Sequence, residues 1–384
     1  MPPVLRTALP RSFLLACLLA TGVPPAGALL NLDGTRNQIF VFGGVTYAYS
    51  SNLFAEAEAR SDYTMTAQVG AEYQRRAGII SVDSTAKIDF VRYGKFRDEN
   101  TLNPNFSLEF TKSTGRTTGS LNVHAFRETR SDSAVNLRTS SWNFPVGLNI
   151  KYPINEKFYT TSDTGYLRRT YSQSQSLVNY SDFSEGVDLY YVYTSKLDLL
   201  AGYRLRVATT SIDGRSVDNW FNVGATGGLF SKMSGTLRFG YQIRELSGTG
   251  SGRFNQFNAS GSLNWPLTRK VRLALSLNRD FSTIATGATV DSSSAALHAT
   301  YSYSRKVDFN GTVSAGVNHF QDLLDTGRRD TFFSWDLGAR YRMNEHLQMG
   351  ATYTISRIGL RSAGLTMTAR VSPWIFPVAT DFTP

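Results

Sequence analysis

Tyr63-Thr-Met-Thr-Ala-Gln-Val-Gly-Ala-Glu-Tyr73 is the stretch whose reading settles the fold class. Its odd positions are Tyr63, Met65, Ala67, Val69, Ala71 and Tyr73, and its even positions are Thr64, Thr66, Gln68, Gly70 and Glu72. Successive side chains of a β-strand point to opposite faces, so this segment has one apolar side and one polar side. The same alternation runs outward along the chain. At 102–111, Leu102, Pro104, Phe106, Leu108 and Phe110 oppose Asn103, Asn105, Ser107 and Glu109. At 235–244, Leu237, Phe239, Tyr241 and Ile243 oppose Thr236, Arg238, Gln242 and Arg244.

Segments of this kind begin near residues 38, 62, 79, 101, 117, 138, 158, 178, 197, 216, 234, 254, 271, 292, 307, 331, 346 and 363. The turns between them alternate short and long. Arg75–Gly78, Ile154–Lys157 and Ser304–Lys306 are short; Ser50–Ser61, Glu128–Leu137 and Gln321–Asp330 are longer. Tyr73, Phe110, Tyr152, Phe158, Tyr193, Trp265, Tyr303 and Tyr341 sit on apolar faces beside the short turns, as a ring at one membrane interface would. A soluble β-sandwich also alternates, but its strands are shorter and nothing in it calls for aromatics at one end.

These features point to an all-β, transmembrane antiparallel β-barrel of about eighteen strands, with sixteen as the alternative count. Lipid offers no hydrogen-bond partner, so a sheet spanning it must close on itself. A barrel of this size is too wide for side chains to fill. No plug domain is expected, because only about ten residues would remain before the first strand once an export signal over 1–28 is removed. Short turns mark the periplasmic end and place the N-terminus there.

The ends carry separate expectations. Arg6 and Arg11, the apolar run Phe13–Ala20 and Ala26-Gly27-Ala28 read as an export signal over 1–28 with a small-x-small cleavage site. The barrel would span 29–376, with Trp374 and Phe376 at its close and a short tail at 377–384. Cys17, the one cysteine, leaves with the signal, which excludes disulfides and thiol chemistry in the mature chain. After 28 no segment is a long apolar run, so membrane helices are excluded.

The chain is basic, with 40 Lys+Arg against 30 Asp+Glu. By the period-two reading the lumen receives Lys87, Lys151, Arg204, Arg206, Arg238, Arg244, Arg272, Arg340, Arg342, Arg370 and Trp220. Acids share it: Glu72, Asp83, Asp89, Glu109, Asp188 and Asp336. The functional reading is an electropositive channel for an anionic chain. The plainer reading is that charges point inward because lipid forbids them, and that they pair across strands. Arg204, Arg206, Arg238 and Arg244, with Asp198 and Glu245 as nearby acids, form the candidate substrate-contacting wall, and Trp220, Tyr190 and Tyr159 are candidates for stacking on sugar rings.

Ile39-Phe-Val-Phe-Gly-Gly-Val-Thr-Tyr-Ala-Tyr49, followed by Ser50-Ser51-Asn52-Leu53-Phe54, resembles the opening strand of an outer-membrane β-barrel porin family associated with exopolysaccharide biosynthesis and export operons (EpsL-like). In that family the strand ends in a Tyr-Asp-Asx-Asn-Leu/Ile-Phe motif; Ser stands here in place of the acid. The resemblance implies export of exopolysaccharide or another envelope polysaccharide. A periplasmic polysaccharide-export protein would be a partner, besides membrane lipid, lipopolysaccharide and the barrel-assembly machinery. The alternatives are a diffusion porin for small anions and a structural barrel that anchors polysaccharide. No cofactor or metal is expected. Enzyme readings are weak, since His124, His298, His319 and His346 are scattered and no Gly-x-Ser-x-Gly elbow or phosphate loop appears. A nucleic-acid partner does not fit an exported, aromatic-girdled barrel.

Overall fold

The computed structural model describes residues 29–31, 36–54, 59–76, 78–132, 137–172, 177–212, 214–248, 252–284, 287–321, 328–344, 347–358 and 362–372. The export signal, Cys17, His346, the Trp374/Phe376 closure and the 377–384 tail lie outside them. The described residues form one antiparallel sheet of nineteen strands. In chain order they are β1 (Leu29–Asn31), β2 (Asn37–Ser50), β3 (Asp62–Arg75), β4 (Ser81–Tyr93), β5 (Thr101–Lys112), β6 (Thr118–Asp132), β7 (Leu137–Pro153), β8 (Phe158–Tyr171), β9 (Tyr180–Thr194) and β10 (Leu197–Thr210). There follow β11 (Arg215–Phe230), β12 (Met233–Ser247), β13 (Gly252–Trp265), β14 (Val271–Thr283), β15 (Thr289–Ser302), β16 (Val307–Phe320), β17 (Arg329–Arg342), β18 (Gln348–Ile358) and β19 (Ser362–Ser372).

The eighteen strands from β2 onward begin within three residues of the expected positions. Each pairs with the next, and β19 closes the ring by pairing Thr366–Val371 with Val45–Ser50 of β2. The short β1 was not expected. It pairs with Gln38–Phe40, on the part of the β2 edge that β19 does not reach. An edge exposed in a membrane leaves backbone groups without partners, and β1 covers one such stretch.

The alternation places apolar side chains outside. Tyr63 is 57% exposed, Val69 49%, Val223 62% and Leu337 60%. Their polar neighbours on the same strands are half-buried toward the lumen. Strands of eleven to seventeen residues exceed the roughly ten that a tilted crossing needs, so their ends stand clear of the bilayer. The short turns are tight: β11 and β12 are joined by Ser231 and Lys232 alone, with Lys232 at φ +64°.

The β13–β14 seam departs from this pattern and, like β5–β6, opens toward the long-loop end. β13 pairs with β14 only from Trp265↔Leu273 to Ala259↔Arg279. Beyond that point β13 stays with β12 as far as Gly252, while β14 stays with β15 as far as Thr283↔Thr289. Arg279, Phe281 and Asp291 share the lipid-facing parity of Leu275, Leu277 and Leu297. Yet Phe281 is buried, packed edge-on to Phe254 with its ring beneath Arg244. Phe254 and Arg244 have lumenal parity on β13 and β12. The outer face of the upper β14–β15 hairpin therefore lies on the inner face of β12–β13, so this end of the hairpin is folded into the lumen.

Candidate functional site

The candidate site is the lumen wall, and two polar clusters give it shape. The first lies at the long-loop end. Arg244 donates to both carboxylate oxygens of Asp218, Nε to Oδ1 at 2.6 Å and Nη2 to Oδ2 at 2.7 Å. Both residues are fully buried. Arg206 shares Asp218 at 2.7 Å and is flanked by Asp182 at 3.8 Å and Asp280 at 3.5 Å. Arg279 pairs with Asp291 at 3.3 Å. The acids thus match or outnumber the arginines here, and the field that free guanidinium groups would project is cancelled locally.

The same arginines hold the folded-in hairpin. Arg206 Nη2 donates to the Phe281 carbonyl at 2.8 Å, and Arg244 Nη1 to the Ser282 carbonyl at 3.3 Å and Thr289 Oγ1 at 3.4 Å. With its amide turned to suit its neighbours, Gln256 donates to Asp291 and accepts from the Phe281 N–H at 3.1 Å. Side chains thus replace the ladder that β14 has lost on its β13 side. The hairpin tip reaches further. A Cβ on Gly287 would touch Ile212 at 3.4 Å and Val178 at 3.8 Å, in the loops before β11 and β9.

The second cluster lies toward the short turns. Tyr159 and Tyr190 stack at 4.5 Å with 7° between their planes, and Lys151 Nζ sits 3.9 Å over the Tyr159 ring. Tyr159 donates to Asp198 at 2.7 Å. Arg238 donates to the Tyr190 hydroxyl at 3.0 Å and pairs with Asp188 at 2.7 Å. Gly202 makes the seat for that carboxylate, since a Cβ there would come within 1.8 Å of Asp188 Oδ1.

The expected lumenal residues divide accordingly. Arg206, Arg238 and Arg244 are tied to acids, so the wall they were to form is cross-linked rather than open. Its acids are Asp218, Asp188, Asp182 and Asp280; Glu245 instead pairs with Arg253 on the outer parity. Trp220 faces the lumen but is only 5% exposed, with Arg206 4.6 Å over its ring. Tyr190 is buried, and Tyr159 is covered by a ring and an ammonium. All three rings are covered in this structure by neighbouring side chains. Lys87 pairs with Asp89 along its own strand. Arg342 pairs with Asp308 beside a cavity of about 460 Å³ that Lys270, Tyr303 and Arg305 also line. Arg204 and Arg272 are exposed and make no ion pair among the described residues; Arg204 lies over Gly186. Arg340 is exposed on the lumenal parity. Arg370 stands on β19 opposite Gly350 and Thr46 in register.

Sequence reasoning missed Asp218, Arg279 and Asp291. A signal existed for the last two. The odd positions of β14 run Val271, Leu273, Leu275 and Leu277, then Arg279, and a charge at that parity conflicts with a strand facing lipid throughout. His298 is a polar wall residue, held between Thr312 and Thr300 at 3.1 Å each. No cluster of His, Cys, Asp or Glu suited to a metal occurs among the described residues.

Residues 210–364 match the family model described as "Putative beta-barrel porin 2". The chain has the fold of an outer-membrane β-barrel, similar to that of porins. It superposes on a BenF-like porin from Pseudomonas fluorescens Pf-5 with a TM-score of 0.52 at 10% identity, covering 88% of this chain and 98% of that one. The FrpB iron transporter from Neisseria meningitidis (F3-3 variant) gives 0.50 at 9% identity, over 83% of this chain and 62% of that one. The chain thus spans less than two thirds of the iron transporter's length. At such identities the likeness concerns the fold alone. No curated protein sequence matches the chain.

Proposed function

We propose that this porin-type barrel carries an anionic polysaccharide outward across the outer membrane. The observation that carries the reading is the placement of unneutralised cations. Lys157, Lys196, Lys232, Arg269, Arg305 and Lys306 are exposed on the short turns, at the end where a periplasmic polymer would arrive. A low-dielectric wall focuses such a field into the opening and raises the local concentration of a polyanion. Arg204 and Arg272, on the lumenal face above that rim, extend the path. The resemblance of Ile39–Phe54 to the exopolysaccharide-associated porins supplies the class of polymer. A periplasmic polysaccharide-export protein is the partner that this reading implies.

A strain lacking the gene tests it. Loss of both surface and secreted polysaccharide is the expected result, and unchanged amounts of both overturn it. The folded-in hairpin narrows the mouth and favours a second reading, a diffusion porin for small anions. That reading expects steady anion-selective conductance and normal polysaccharide in the same strain. Polymer lost from the surface but still released would mark an anchoring barrel.

A further inference from the structure

We propose that the upper β14–β15 hairpin is a gate with two registered positions: tucked against the inner face of β12–β13, as seen, and zipped onto the edge of β13 that it has left. The inference goes beyond the polysaccharide reading and does not need it.

Three observations carry it. First, the vacated edge has a partner in waiting. Continuing the register past Ala259↔Arg279 would set Asn258 opposite Asp280, Phe257 opposite Phe281, Gln256 opposite Ser282 and Asn255 opposite Thr283. Asn258, Asp280, Gln256 and Ser282 would then face the lumen together. Phe281 would join Phe257, which is 53% exposed and already stacks with Phe239 at 6.3 Å. The zipped state thus restores the missing ladder and adds a cross-strand aromatic pair, while the Arg279–Asp291 ion pair turns to the outer face at the long-loop end.

Second, the tucked state is held by a small number of side-chain contacts. Arg206, Arg244 and Gln256 grip the backbone and carboxylate of the hairpin, and Gly287 rests on Val178 and Ile212. Third, the tuck leaves polar groups poorly served. Asn258 Oδ1, Asp280 Oδ1 and Arg279 Nε are buried without a hydrogen-bond partner among the described residues. Such atoms weigh against the packing that creates them. Two packings of one segment, each with its own compensation, make a bistable element. Tucked, the hairpin crosses the mouth toward the loops before β9 and β11. Zipped, it restores the full circumference.

The test is disulfide trapping with single-channel recording on the full chain, in a Cys17→Ser background. Phe257→Cys with Phe281→Cys reports the zipped state, since these residues meet only there. Loosening the grip with Arg206→Gln and Gln256→Ala should raise the cross-linking yield roughly fivefold or more, in step with open-channel conductance. Oxidising the cysteine pair should hold the conductance high, and reduction should restore the original level. Equal yields with and without the grip, or a conductance indifferent to the cross-link, would overturn the gate. A heat-modifiable band on a gel checks that each variant is folded. If Arg206→Gln does not fold, Asp280→Asn with Gln256→Ala removes hairpin contacts while leaving both arginines in place, and is read by the same criteria.

Discussion

Asp218 holds two guanidinium groups, Arg244 through both of its oxygens and Arg206 at 2.7 Å, with no solvent contact of its own. Removing one partner from a buried charge set costs about 3–5 kcal/mol, because the remaining charges stay desolvated. Asp218→Asn should lower the unfolding free energy of the detergent-folded barrel by that order, read from urea unfolding; an unchanged midpoint would show that the cluster is wet and unimportant. Arg204 makes the contrasting case, being exposed and without an ion pair among the described residues. Arg204→Glu should shift the reversal potential in a salt gradient toward cations. Lys87→Gln should shift it less, since Asp89 already answers that charge. A larger shift from Lys87 than from Arg204 would contradict this assignment. Little of this was legible in the sequence. Period two says which side of the wall a residue occupies, so Arg244 and Trp220 were placed in the lumen. It does not say which acid lies within reach across three strands, and that decides whether a lumenal arginine is open or spent.

The strands themselves were legible because their cause is local. Each of β2 to β19 alternates strongly enough for its start to be found within three residues. What failed to show depends on edges. β1 has only three residues to alternate, and the β13–β14 separation is a choice between partners rather than a property of either strand. The alternation makes a prediction at this scale. Val313 is 49% exposed on the outer face of β16, while its neighbour Thr312 faces the lumen and meets His298. Val313→Lys should destabilise the barrel by about 2–4 kcal/mol if it lies near the midplane, whereas Thr312→Lys should cost much less. Equal costs at the two positions would argue against a membrane on one side and water on the other. The measurement is reversible unfolding from lipid vesicles.

For the whole molecule, the charge pattern matters more than its total. The net charge of +10 would by itself fit many proteins. Here Lys157, Lys196, Lys232, Arg269, Arg305 and Lys306 are exposed on the short turns and Lys95, Arg97, Arg215, Arg329 and Arg357 toward the long loops, while Arg206 and Arg244 inside the mouth are tied to aspartates. An anion gathered electrostatically at one rim should lose that advantage as salt rises, because screening shortens the field to about 8 Å at physiological ionic strength. Block of the channel by an acidic oligosaccharide should therefore weaken with salt; salt-independent block would contradict an electrostatic attraction at the rim. All of this rests on a closed wall with lipid outside and water within. The most direct test labels single cysteines with a fluorophore at 309–317 along β16 and compares a lipid-phase quencher with a water-soluble one. The account predicts alternation, with Phe309, Val313 and Ala315 quenched from lipid and Asn310, Thr312 and Ser314 from water. Uniform access from water, or protection from both quenchers, would contradict it.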